Sequence, residues 1–240
     1  MRLFLALAAT GAVLAAPAAA VTRGAEDGTG HPYVGLVAFY DENDVFIQRC
    51  SGALLSPTVL LTAGHCTAGA ALARAWFDPL VVPNRATAVT GAPHTYPGFD
   101  PAALPNASDV GIVVLDAPVA ADRYASLAEE PSSVREYTVV GYGVQQVKPE
   151  LVAVPVRLRA QTKLIRLFDL ALRLSGSPGH GRGGACFGDS GGPVLDGDVI
   201  AAVVAAGSPN FICKGPFYAS RVDVDEVRDW ILAFLEQEAG

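Results

Sequence analysis

The chain has 240 residues, of which 51% are hydrophobic and 17% charged, so it can build a sizeable core and is not a disordered polymer. Its net charge is −7, from 17 Lys+Arg against 24 Asp+Glu, which argues against nucleic acid or an anionic membrane as the main partner. Lysine is scarce beside arginine, and Ala, Gly, Val and Pro are abundant, a usage that fits a GC-rich bacterial genome.

Residues 1–20 read as a secretory signal peptide. Arg2 gives a positive start, Leu3 to Leu14 form an apolar run too short to span a bilayer, and Ala18-Ala19-Ala20 supplies a cleavage site. The expected cut follows Ala20. It removes one positive charge and no acid, leaving a mature chain, 21–240, at −8. No later segment has the apolar length of a membrane span, so the mature chain is expected to be secreted and free of the membrane.

Short strand-like runs bounded by Gly, Pro, Asn and Asp then recur: Val34–Tyr40, Gly52–Leu55, Val59–Thr62, Val81–Val82, Val110–Leu115, Thr138–Val140, Leu151–Leu158, Val194–Leu195, Val199–Val204 and Phe217–Val222. That spacing predicts an all-β barrel or sandwich. Leu127–Arg135 is polar enough to join two half-domains. Leu164, Leu167, Phe168 and Leu172 share a helical face, which predicts a helix within Lys163–Leu174. The arginines between Arg157 and Gly184 read as a solvated face, and Pro178–Gly184 as a loop. Val224, Val227, Trp230, Ile231 and Leu235 recur at helical spacing and predict a terminal amphipathic helix over 223–237.

The four cysteines, Cys50, Cys66, Cys186 and Cys213, are even in number in an exported chain, so two disulfides are expected. Three connectivities are open. The sequence-local one joins Cys50 to Cys66 and Cys186 to Cys213, each bridge contributing about 3 kcal/mol. The close ligand pairs of a zinc site are missing from the sequence, so no metal is expected.

The chemistry concentrates in Gly188-Asp189-Ser190-Gly191-Gly192-Pro193. A serine between glycines can sit in a tight turn with its hydroxyl exposed, and backbone N–H groups there can face a developing oxyanion. The string also fits the nucleophile elbow of α/β-hydrolases. That fold needs a histidine after the serine, and none follows Ser190. The base must lie upstream, among His31, His65, His94 and His180. His31 and His94 stand near prolines in polar stretches, as surface loops do, and His180 lies among glycines. His65 ends an apolar run, with Cys66 pinning the backbone beside it. Asp109 opens the apolar strand Asp109–Leu115, where a buried carboxylate needs a hydrogen-bonded partner. Asp100 and Asp116 flank prolines and read as turn residues.

Thr62-Ala63-Gly64-His65-Cys66, Asp109-Val110-Gly111-Ile112-Val113-Val114-Leu115 and the Ser190 string resemble, in this order, the three signature segments of the chymotrypsin/trypsin-like serine proteases. Val21-Thr22-Arg23-Gly24 resembles the mature N-terminus of that family, and Gly141-Tyr142-Gly143 its Gly-Trp-Gly turn. The resemblance spans the mature chain. It implies two packed six-stranded antiparallel β-barrels, about 21–125 and 126–222, followed by the C-terminal helix. It implies a secreted serine endopeptidase, acting as a monomer on proteins or peptides without cofactor or metal. Ser190 would be the nucleophile, His65 the base and Asp109 its orienter. The N–H groups of Gly188 and Ser190 would form the oxyanion hole. The amino group of Val21 would pair with Asp189, and export alone would then generate the active N-terminus. Gly184 matches the floor of the specificity pocket, where trypsin-like cleavage needs an acid, which argues against basic residues before the scissile bond. Ala205-Ala206-Gly207 replaces a Ser-Trp-Gly wall, and Pro216 stands where a wall glycine is common. The expected preference is for small or apolar residues. A silent binding homologue is the competing reading, and the intact His65, Asp109 and Ser190 count against it.

Overall fold

Short runs rich in apolar residues, cut by Gly, Pro and Asp turns, become short strands that close into barrels. A computed structural model describes residues 21, 24–147, 150–153, 155–176, 183–207, 213 and 215–238. The expected signal peptide, 1–20, and His180 lie outside the described residues.

The first barrel comprises β2 (Val34–Tyr40), β3 (Phe46–Leu54), β4 (Val59–Thr62), β5 (Leu72–Trp76), β6 (Val89–Thr95) and β7 (Gly111–Leu115), closed in the order β2-β3-β4-β7-β6-β5. The second comprises β9 (Glu136–Gly141), β12 (Leu158–Leu167), β13 (Ala171–Leu174), β14 (Pro193–Asp196), β15 (Val199–Ala206) and β16 (Phe217–Arg221), and the β12–β9 pairing closes it. Two short strands are added at its margins: β1 (Ala25–Glu26) on β12, and β8 (Ser126–Leu127), parallel to β15. A hairpin of β10 (Val144–Val147) and β11 (Glu150–Ala153) stands apart. This is the expected all-β architecture of two six-stranded antiparallel barrels.

Each barrel carries a cluster of buried apolar side chains: Leu36, Phe39, Leu54, Leu61 and Ile112 in the first, Tyr137, Val139, Leu174, Val194 and Phe217 in the second. Each such side chain contributes about 1.5–3 kcal/mol when buried. The helix α2 (Asp225–Glu238) opens with Asp225 and Glu226, whose charges suit its N-terminal dipole. It buries Val227 and Ile231, one turn apart, against the first barrel. Trp230 meets Tyr96 edge-on, and Phe234 meets His94. The last helix thus crosses from the second barrel back to the first. His94 sits on strand β6, not in a loop.

Three of the expected secondary-structure elements fail. The helix expected within Lys163–Leu174 is a hairpin of β12 and β13. Leu167 faces Leu172 and Leu164 faces Leu174 across it, so two strands folded on each other imitated one helical face. Arg159 to Lys163 pair with β9, and the alternation of buried and exposed residues along β12 is that of a strand. Leu151–Leu158 is not one strand: β11 ends at Ala153, β12 begins at Leu158, and Pro155, which cannot donate to a ladder, lies between. Val81–Val82 joins no ladder. Val81 is buried and Val82 exposed, while the neighbouring Leu80 bridges to Val156.

Candidate active site

The two barrels meet where β3 and the end of β4 of the first approach the Gly188–Pro193 turn of the second. The Ser51 N–H donates to the Ser190 carbonyl at 2.8 Å, joining them directly. At the end of β4 the chain makes one helical turn, α1 (Gly64–Thr67), which carries His65. The turn is braced twice. Cys66 is disulfide-bonded to Cys50 on β3, and Gln48 Nε2 donates to the His65 carbonyl at 2.6 Å. The His65 side chain is 28% exposed, open to the cleft on one side.

Asp109 lies just before β7 and is fully buried. Its Oδ1 accepts the His65 main-chain N–H, and its Oδ2 faces His65 Nδ1, both at 2.7 Å. Its own N–H donates to Ser220 Oγ on β16, so the second barrel also holds it. Asp100 and Asp116 are exposed: Asp100 accepts the Ala102 N–H as a turn residue, and Asp116 accepts from Thr90. His31 is buried rather than in a surface loop, and its Nδ1 lies 2.7 Å from Asp27.

Ser190 and His65 line one cavity of about 370 Å³, together with Ala185, Phe187, Val204, Ala205, Gly207, Gly215 and the two cysteines of the Cys186–Cys213 disulfide. Among the described residues Ser190 Oγ makes no hydrogen bond to His65. Such bonds often tighten only when substrate arrives. The N–H groups of Gly188 and Ser190 have no partner among the described residues, so both donors beside the hydroxyl remain unspent. Gly188 holds φ +92°, a conformation that a side chain disfavours. Ser51 sets this loop: its Oγ donates to the Gly188 carbonyl at 2.8 Å and accepts the Tyr142 N–H at 2.9 Å. An isolated polar serine on β3 gave no sequence signal for that role.

Asp189 is fully buried. Its carboxylate accepts the N–H groups of Gly143 at 2.8 Å and Cys186 at 2.9 Å. A Cβ at Gly141 or Gly143 would fall on the carboxylate, which explains a glycine at both ends of Gly141-Tyr142-Gly143. Burial pushes the Asp189 carboxyl up to about 7, against the pull of the two N–H groups and of Arg49. Val21 is also fully buried and packs on Leu158 and Ala160. Leu158 pairs with Gly141, which abuts Asp189, so one strand pairing links the residue that Val21 packs on to the residue that the acid touches.

The side-chain ligand atoms of Cys50, His65 and Cys66 lie within 4.8 Å of one another. Both sulfurs are spent in the disulfide, and metal binding needs thiolates, so this group does not fit a metal.

A family model described as Trypsin matches residues 23–231. The chain belongs to the trypsin family. It is a serine endopeptidase, a hydrolase whose substrates are proteins or peptides. Trypsin zeta of Drosophila erecta is 26% identical over 216 residues, covering 78% of this chain and 73% of that protein. Trypsin zeta of Drosophila melanogaster is also 26% identical, covering 79% and 75%. Both relatives are insect proteins and lend no support to a bacterial source. A solved structure described as HL collagenase superposes with a TM-score of 0.73 at 21% identity, over 90% of this chain and 98% of that one, and so shares the fold.

The cavity of this trypsin-family enzyme differs from its sequence expectation in two places. Ala205 and Gly207 line it, but Gly184 and Pro216 do not. Gly184 is buried, and a Cβ there would fall on the α-carbon of Gly176; a Cβ on Gly176 would in turn strike the Gly215 carbonyl. Backbone therefore fills the space that a side chain at 184 would need. Gly215, the neighbour of Pro216, forms the wall instead.

Proposed function

We propose that the mature chain, 21–240, is an exported, monomeric endopeptidase that cleaves peptide bonds with Ser190, His65 and Asp109. The observation that carries this reading is Asp109, which grips both the main chain and Nδ1 of His65 on the wall of the cavity that Ser190 also lines. A carboxylate at Nδ1 fixes the proton there, leaving Nε2 as a base toward the cleft. Ser190 Oγ attacks the scissile carbonyl as His65 takes its proton. His65 then protonates the leaving amine, and water releases the acyl group by the same route in reverse. The unspent N–H groups of Gly188 and Ser190 receive the oxyanion; losing one such donor typically costs about 100- to 1,000-fold in rate.

Removal of residues 1–20 by the export machinery frees the amino group of Val21. The buried Asp189 carboxyl, held near 7 for want of a full counter-charge, gives that ammonium its partner. Among the described residues, the cavity walls Ala185, Val204, Ala205 and the Gly207 and Gly215 backbone offer no charge to a substrate side chain. Small or apolar residues before the scissile bond fit such a cavity.

Digestion of a mixed peptide library by the chain beginning at Val21, read by mass spectrometry, tests the reading. Cuts cluster after small or apolar residues and vanish in His65→Ala. N-terminal sequencing of the exported protein checks the start; a start far from Val21 contradicts the activation route.

A further inference from the structure

Arg157 is 1% exposed, although a solvated face was expected of it. Its Nε donates to Asp27 Oδ2 at 3.1 Å, its Nη1 to the carbonyls of Val34 and Phe77 at 3.0 Å each, and its Nη2 to the Gly28 carbonyl at 2.6 Å. Asp27 is buried too. It takes the His31 N–H and Nδ1 on its two oxygens, and its own N–H donates to the Arg157 carbonyl at 2.9 Å. The half-exposed Arg159 stands 3.8 Å away on the outer side. One guanidinium therefore ties three parts together: the strap of residues 24–31, the first barrel at Val34 and Phe77, and the start of β12.

The position of this knot gives it a use. The strap begins three residues after Val21, and its strand β1 pairs Ala25 with Arg159 and Glu26 with Leu158. Leu158 is both the residue on which Val21 packs and the partner of Gly141, which abuts Asp189. A slip of the strap by one residue on β12 would reverse its faces and carry the Val21 amine away from the acid. A buried ion pair suits such a duty, because it tolerates one register only, and removing one partner leaves an uncompensated charge.

We propose that Asp27 and Arg157 are positioning residues for proteolysis: their buried pair fixes the register of the strap on β12 and so delivers the freed amino group of Val21 to Asp189. The inference rests on the reading of Val21 and Asp189 given above. Neither residue touches substrate. Each acts through the N-terminus.

The test uses the chain beginning at Val21 and potassium cyanate, which carbamylates exposed amines. In the wild type the Val21 amine is protected. In Arg157→Met it reacts about tenfold faster, and the alkaline limb of kcat/KM moves down by about one pH unit, as a tenfold loss of the inserted form requires. The fall lies in kcat and in the number of titratable active sites, with KM little changed, and Arg157→Lys restores part of it. Should the single variant fail to fold, Asp27→Leu/Arg157→Met replaces the pair by apolar groups, an exchange that folds often tolerate. The double variant, folded, is expected to keep the exposed amine. A folded Arg157→Met or double variant with a protected amine and an unmoved pH limb overturns the proposal. A wild-type amine that reacts freely, or a fully active Asp189→Asn, overturns the activation reading itself.

Discussion

Asp109 meets His65 twice, with Oδ1 on the main-chain N–H and Oδ2 on Nδ1, both at 2.7 Å. The first contact sets the helical turn and the second sets the ring. Asn at this position keeps the shape but presents an amide N–H to Nδ1, which moves the ring proton to Nε2 and abolishes the base. Asp109→Asn should lower kcat about 10⁴-fold with KM nearly unchanged, the size known for the same exchange in trypsin. Steady-state kinetics on a peptide ester and a peptide amide would check it.

The raised carboxyl of Asp189 makes stability depend on pH while Val21 is still joined to Ala20. Folding lifts this group from 3.8 to about 7, so the folded chain holds a proton that the unfolded chain has lost. Stability therefore falls as pH rises from about 4 to about 7 and levels off above, where both states are ionised. Asp189→Asn removes this part of the slope. Urea midpoints of the two uncleaved proteins at about pH 4.5 and about pH 7.5 isolate the difference. If the freed ammonium of Val21 pairs with Asp189 as proposed, the slope should shrink in the chain beginning at Val21.

Backbone already occupies the space behind Gly184. Gly184→Asp should therefore not create cleavage after Lys or Arg, as an acid on an open pocket floor would. It should instead displace Gly176 and destabilise the fold by about 1–3 kcal/mol, as overpacking does. Peptide-library cleavage and a urea titration of the same variant read the two effects separately.

Ser51 holds the Gly188 carbonyl and receives the Tyr142 N–H, so Ser51→Ala leaves two buried groups without partners. The expected loss is about 1–3 kcal/mol of stability. Release of the Gly188 peptide should also lower kcat more than it raises KM, because the donor beside Ser190 is needed most in the transition state.

What the sequence made legible follows from where the constraint acts. His65, Asp109 and Ser190 each sit in a short string whose glycines, cysteine or apolar strand are local requirements, and a reader of the chain can see them. The terminal helix was legible for the same reason: Val227 and Ile231 repeat on one face. The β12–β13 hairpin was not, because cross-strand partners such as Leu167 and Leu172 reproduce a helical spacing once the chain turns back. Contacts across long stretches of sequence left no trace. Ser220 backs Asp109 from 111 residues away, Ser51 reaches Tyr142 across 91, and Arg157 finds Asp27 across 130. Arg157 read as a surface charge because nothing local announced a buried acid waiting for it.

An activated serine is the centre of this account, and a fluorophosphonate probe reads it directly. The chain beginning at Val21 should take one label, on Ser190, and the Ser190→Ala variant none. A folded chain beginning at Val21 that takes no label, or a Ser190→Ala variant that is labelled as fast as the wild type, would contradict it.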